Sequence, residues 1–234
     1  MEALLPSLLA GLATTAGSFA AILGRPPGRR AVGMLLGGAA GVMLAVVILD
    51  LLPAALQTGA PFEAASGFAI GVSLLWLLDR LLSGFKSEAF SYRRIGYLLA
   101  IGIALHDLPE GIAIAGAYAA GGRMGAILAL SIALHNIPEG IATAVPLELG
   151  GIRRMHILLL NAFIGLFTPL GTLLGLFLIR LSPQHLSFLL ALAAGAMGYL
   201  VKTELIPEAY RHDPLWCWGG LFAGYLLIWA AQTL

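Results

Sequence analysis

The chain has 234 residues, of which 59% are hydrophobic and only 11% charged, with 30 glycines and a formal net charge of +1. So few charges cannot cover the surface of a water-soluble domain, and the basic residues are scattered over short connections rather than gathered into a nucleic-acid-binding patch. The single cysteine, Cys217, excludes an intrachain disulfide and reads as a packing residue.

Taken in order, the chain is a series of apolar runs near the ~20 residues that cross a bilayer. The first, 3–24, is uncharged, but it begins with Glu2 and lacks the basic region of a signal peptide, so it reads as a span. Seven more follow at about 31–57, 64–84, 95–120, 123–147, 154–180, 184–208 and 213–233. Gly, Pro, Ser or charge punctuates the connections: RPPGRR at 25–30, GAP at 59–61, SGFKSEAFSYRR at 83–94, GGR at 121–123, GGIRR at 150–154 and SPQ at 182–184. The whole chain is one all-α polytopic membrane domain of eight transmembrane helices. Its glycines suit close helix packing in lipid.

Lys and Arg set the sidedness. Arg25, Arg29, Arg30, Arg80, Lys86, Arg93, Arg94, Arg153, Arg154 and Arg211 fall at alternate connections and share one face, which is then cytoplasmic. The other face has Arg123 and Arg180, and Lys202 snorkels from within span 7. Both termini face outside.

Spans 4 and 5 carry a duplicated polar motif. The stretch IALHDLPEGIAIA at 103–115 recurs as IALHNIPEGIATA at 132–144, with ten of thirteen positions identical. On a helix, positions i and i+4 share a face, so His106 aligns with Glu110 and His135 with Glu139. Imidazole nitrogen and carboxylate oxygen are ligands for divalent transition metals, and antiparallel neighbours can oppose the two faces. Asp107 and Asn136 project to one side and could serve a second ion beside the first. Pro109 and Pro138 each precede the glutamate, remove a backbone donor and crowd a carbonyl, so a broken helix around a polar cavity is expected. Other readings are open on the residues alone: packing or ion-paired side chains, a proton relay without metal, or a metalloenzyme. The enzyme reading lacks an HExxH motif and an evident extra base.

Outside the motif, Asp50 and the pair Glu204 and Glu208 lie towards opposite mouths, where they attract cations or simply end helices. Asp79 and Arg80 read as interfacial anchors. His156, His185 and His212 sit at span edges. Trp76, Trp216, Trp218 and Trp229 suit aromatic belts or packing.

With HDLPEG at 106–111, HNIPEG at 135–140, GVMLAVVILDLLPAAL at 41–56 and AAGAMGYLVKTELIPEA at 193–209, nearly the whole chain resembles the ZIP (Zrt/Irt-like) family of divalent metal transporters, most closely its prokaryotic GufA-like branch. The resemblance implies a 3+2+3 arrangement of helices, with 1–3 and 6–8 pseudo-symmetric and 4 and 5 carrying the metal. It implies His106, Glu110, His135 and Glu139 as a primary metal site, and Asp107 and Asn136, with the two glutamates, as a neighbouring one. It further implies uptake of Zn²⁺, and among relatives Fe²⁺, Mn²⁺, Co²⁺ or Cd²⁺, into the cytoplasm, by one bundle sliding against another. No organic cofactor, nucleic acid or enzymatic activity is expected. The partners are the metal ion, the bilayer and, at most, a second copy in a homodimer, and the location is the plasma (inner) membrane of a prokaryote. One departure stands out. In 164-IGLFTPLG-171, Thr168 occupies the place of a glutamate carried by many relatives, which leaves the second site a carboxylate short. The short 3–4 loop, without histidine, is a second departure, and it argues against metal sensing there.

Overall fold

The computed structural model describes residues 2–23, 27–82, 88–178 and 183–233. All regular structure among them is helical. Helix α1 spans Leu4–Ile22, α2 Arg29–Thr58, α3 Pro61–Leu82, α4 Glu88–Ala120 and α5 Gly122–Leu149. Helix α6 is two segments, Arg154–Ile164 and Phe167–Leu178. Helix α7 joins Pro183–Leu200, a π-helical turn at Val201–Leu205 and Ile206–His212, and α8 is Pro214–Thr233. Seven of the eight contain apolar stretches long enough to cross a membrane, and the stretch in α8, Pro214–Ala230, is shorter. Large apolar side chains such as Phe62, Trp76, Leu130, Phe163, Phe177 and Trp229 stand exposed, as lipid-facing residues do and as a soluble domain does not allow over so much of its surface. The chain is therefore a polytopic membrane protein.

The packing divides the helices four and four. Helix α1 lies along α5, α4 packs on α5 and α6, and α1 also touches α6. In the other group α2 lies along α8, α3 along α7, and the end of α7 returns to α2. Contacts between groups run mainly through α4 with α7 and α2 with α5. Glycine explains the tightness inside each group. A Cβ on Gly37 of α2 would lie 2.3 Å from the Cys217 carbonyl oxygen of α8. Cys217 is buried there as a packing residue, as expected. Between the groups the seam is built of side chains: Gly102 of α4 faces the side chains of Leu200 and Leu75, not their backbones.

The irregular helices are not the ones that the prolines of the motif predict. Helices α4 and α5 run unbroken through Pro109 and Pro138. The interruptions lie instead in α2, α6 and α7. In α2 a π-helical turn occupies Val46–Leu51, and the Leu52 N–H donates to the Val47 carbonyl. In α7 the Ile206 N–H donates to the Val201 carbonyl in the same way. Each wide turn carries an acid three residues before a proline, Asp50 before Pro53 and Glu204 before Pro207, and the widening relieves the clash of the ring with the carbonyl four residues back. Helix α6 breaks at Gly165, whose carbonyl oxygen would lie 1.8 Å from a Cβ on Gly11 of α1.

Helix α4 also starts seven residues before the expected 95, and α7 runs past 208 to His212. Tyr92, Arg93, Arg94 and Arg211 are thus helical rather than loop residues, and their polar side chains find protein partners instead of stopping the helix. Arg25, Lys86 and Arg180, used in the sidedness argument, lie outside the described residues, as does the side chain of His185.

Candidate metal centre

The motif's i, i+4 spacing brings its residues into one cluster between α4 and α5. His106, Asp107, Asn136 and Glu139 are fully buried, and Glu110 and His135 nearly so. The pairing is crossed. The His106 Nε2 lies 3.0 Å from Glu139 Oε1, and the His135 Nε2 lies 3.0 Å from Glu110 Oε1. Within α4, His106 Nε2 is 3.6 Å from Glu110 Oε1 and 3.7 Å from Asp107 Oδ1. Two overlapping sets, His106 with His135 and Glu139, and His106 with Asp107 and Glu110, each place one donor atom per residue within 4.8 Å of the others.

Most of these atoms lack a hydrogen bond. Only the His135–Glu110 contact is aligned as one. Both ring nitrogens of His106, both oxygens of Asp107 and Glu139, Oε2 of Glu110 and Oδ1 of Asn136 have no partner. The 3.0 Å approach of His106 Nε2 to Glu139 Oε1 is close but not aligned as a full hydrogen bond. Buried polar atoms are normally paired, and the alternative that satisfies this many converging donors is a cation.

Neighbouring helices hold the cluster in place. The Asn136 amide donates to the Ala10 carbonyl of α1 at 2.9 Å, which fixes the direction of its free oxygen. The Thr172 hydroxyl of α6 donates to the Gly111 carbonyl at 2.9 Å. A Cβ on Gly111 would lie 2.0 Å from the Thr168 carbonyl oxygen, and one on Gly140 would lie 1.9 Å from that of Thr14. The glycine that ends each motif is therefore where α6 and α1 press against the site helices. Asn161 accepts from the Thr143 hydroxyl at 2.6 Å and donates to the Ile157 carbonyl, so it braces α5 and does not stand in for the missing glutamate.

A cavity of about 760 Å³ reaches the cluster from the end away from the Arg-rich face. Glu110 and His135 form part of its wall, with Asp50, Gln57 and Ser131 among the polar residues further out. Towards the Arg-rich end, apolar side chains of α2, α3, α4, α5 and α7 close the seam.

The sequence reading missed a second, partly buried polar cluster there. Arg94 of α4 donates through both terminal nitrogens to Glu204 of α7, at 3.2 and 3.1 Å, and pairs with Asp79 of α3. Tyr199 of α7 donates to the other Asp79 oxygen at 2.9 Å. Asp79 is thus no interfacial anchor, and Glu204 is paired with Arg94. Arg80 does sit at the edge, over the Trp76 ring at 5.5 Å. Nearby, His212 lies 3.2 Å from Glu208 and 3.3 Å from the Tyr92 hydroxyl. The signal available in sequence was the likeness of LDLLP at 49–53 to TELIP at 203–207, the acid and proline that mark both π turns.

A buried His/carboxylate cluster, most of whose polar atoms lack a hydrogen bond, halfway along membrane-crossing helices and reached by a cavity from one side, defines a cation-handling membrane protein. Known proteins give the class a family. Residues 83–231 match the ZIP zinc transporter family. The zinc transporter ZupT of Chlorobium phaeovibrioides is 36% identical over 235 residues, covering 90% of this chain and 88% of that one. ZupT of Chlorobium luteolum is 37% identical over the same shares, and ZupT of Salmonella arizonae 39% over 122 residues, 47% of this chain and 48% of that one. The chain belongs to the ZIP zinc transporter family.

Proposed function

We propose that the chain carries Zn²⁺, and more weakly other divalent transition-metal ions, across the inner membrane of a prokaryote into the cytoplasm. Eight spans with both termini outside fit the placement of Arg29, Arg30, Arg80, Arg93, Arg94, Arg153, Arg154 and Arg211 at one end of the molecule and Arg123 at the other. The ion is substrate and not a resident cofactor. The crossed pairing of His106 with Glu139 and His135 with Glu110, with most of their remaining lone pairs unspent, supports this reading most strongly. His106, Glu110, His135 and Glu139 take the ion from the cavity and replace its water. Asp107 and Asn136 flank them for a second, weaker ion. The N/O ligand set without thiolate suits Zn²⁺ and its borderline neighbours over Cu⁺. Transfer to the cytoplasm follows when the α1/α4/α5/α6 group slides against the α2/α3/α7/α8 group along the side-chain seam.

Uptake of radiolabelled Zn²⁺ into proteoliposomes tests the reading. Wild type should saturate, the double variant His106→Ala/His135→Ala should show background only, and competing ions should rank by their fit to mixed N/O ligands. A folded double variant that still takes up Zn²⁺ would sink the site assignment. Thr168 makes a complementary case. Its hydroxyl is buried and unpartnered, so Thr168→Val removes an orphaned polar group at nearly constant volume. Uptake should stay close to wild type and thermal stability should hold or rise; a collapse of uptake would make Thr168 a ligand.

A further inference from the structure

We propose that Arg94 is a releasable latch that holds the cytoplasmic end of the seam shut while the cavity stands open on the other side. The inference rests on the reading that the two helix groups slide.

The arrangement separates charge by group. The cation belongs to α4, in the group that carries the candidate metal centre. Both acids belong to the other group, Asp79 on α3 and Glu204 on α7. Tyr199, also of that group, fixes Asp79 from behind. Arg94 and Asp79 are each 19% exposed along the side chain and Glu204 4%, so the contact is largely withdrawn from solvent. A guanidinium fork on one carboxylate, with a second carboxylate against the same nitrogen, is a strong, directional contact. Without it, α4 loses its ionic tie to α3 and α7 at this end of the seam, and two carboxylates of the other group are left without their shared cation in a poorly solvated site, which favours letting water into the seam there. One turn deeper, the Leu200 side chain rests on Gly102 of α4, an apolar contact with little to fix its register. Tyr92 of α4 adds a lighter contact, stacked on the His212 ring of α7 at 6.2 Å and within reach of its Nε2, with Glu208 and Arg211 next to it. The polar contacts that tie α4 to α7 thus gather at one end of the seam, where sliding would have to break them.

Leu200→Cys places a reporter thiol directly beneath the latch, and the native Cys217, buried between α2 and α8, reports loss of folding. A membrane-impermeant maleimide is applied to the cytoplasmic face of inside-out vesicles. Adding Arg94→Gln to Leu200→Cys should speed alkylation of the reporter thiol about tenfold or more, the usual size of a conformational coupling, with Cys217 untouched. If saturating Zn²⁺ at the outer face speeds reporter alkylation in the Leu200→Cys parent but Arg94→Gln does not, the latch is wrong and sliding stands. If neither treatment speeds it, sliding itself is wrong and the latch falls with it. If Cys217 reacts as well, Arg94→Gln has unfolded the protein. Glu204→Gln, which keeps the shape of the acid and the Arg94 charge, then decides by the same comparison.

Discussion

Glu139→Gln and Glu110→Gln should each reduce Zn²⁺ uptake to background at normal expression. Each glutamate does two jobs in the crossed arrangement. Glu139 approaches His106 on the opposite helix and lies in a donor set with His135, while Glu110 accepts from His135 and lies in a set with His106 and Asp107. The amide keeps the volume, so packing against α1 and α6 survives. What changes is chemistry. One carboxylate oxygen becomes an NH₂ donor aimed at a cation, and a negative charge that offsets dehydration of the ion disappears. Loss of a supporting outer partner alone typically costs about 10–100-fold in metal affinity, and loss of a ligand at least about 100-fold. The two variants should also differ. Glu110 lines the cavity and Glu139 does not, so Glu110→Gln should weaken capture from outside, while Glu139→Gln leaves an ion caught at the cavity wall but not held. Zn²⁺ binding measured in detergent beside uptake separates them: Glu110→Gln should lose both readouts, and Glu139→Gln should keep weak binding without uptake. Uptake near wild type in either variant would remove the residue from the path.

Much of this was legible in the sequence because the bilayer fixes segment length and the helix fixes side-chain direction. The eight apolar runs and the alignment of His106 with Glu110 and of His135 with Glu139 needed nothing more. The crossed pairing was not legible. Which histidine meets which glutamate depends on the relative height and rotation of α4 and α5, and the spacing within each helix is silent on both. The four-and-four grouping was hidden for a related reason. Short connections suggest that chain neighbours pack together, yet α1 lies along α5 and α2 along α8, because glycine faces select partners by shape. The prolines misled. Pro109 and Pro138 sit in helices that continue, whereas Pro53 and Pro207 follow π turns. Charge misled too: Arg94 looked like a loop residue because hydropathy falls there, and only a fold that delivers Asp79 and Glu204 to it lets the helix continue.

Gly111→Ala and Gly140→Ala should be as damaging to transport as loss of a ligand, although neither touches the ion. An added methyl at Gly140 would sit 1.9 Å from the Thr14 carbonyl oxygen and 2.8 Å from the Ser18 nitrogen, and one at Gly111 would sit 2.0 Å from the Thr168 carbonyl oxygen and 2.7 Å from the Thr172 nitrogen. These are backbone atoms of regular helices, so no side chain can swing away. Helix α1 or α6 must move outward as a whole by the better part of an ångström. Overpacking of this kind costs about 3 kcal/mol at the upper end. The displacement falls on the residue directly after a candidate ligand, and in α5 it also pulls on the bond from Asn136 to Ala10. Gly219 provides the control: it is helical, and a methyl there meets nothing within 4 Å. Gly219→Ala should leave uptake intact and hold or raise the melting temperature, since alanine is the better helix former by about 1 kcal/mol. Thermal unfolding of the three variants in detergent, beside Zn²⁺ uptake at matched protein levels, decides the matter. If Gly111→Ala and Gly140→Ala melt and transport like wild type, α1 and α6 do not clamp the site helices, and the rigidity of the group that carries the ion must come from elsewhere.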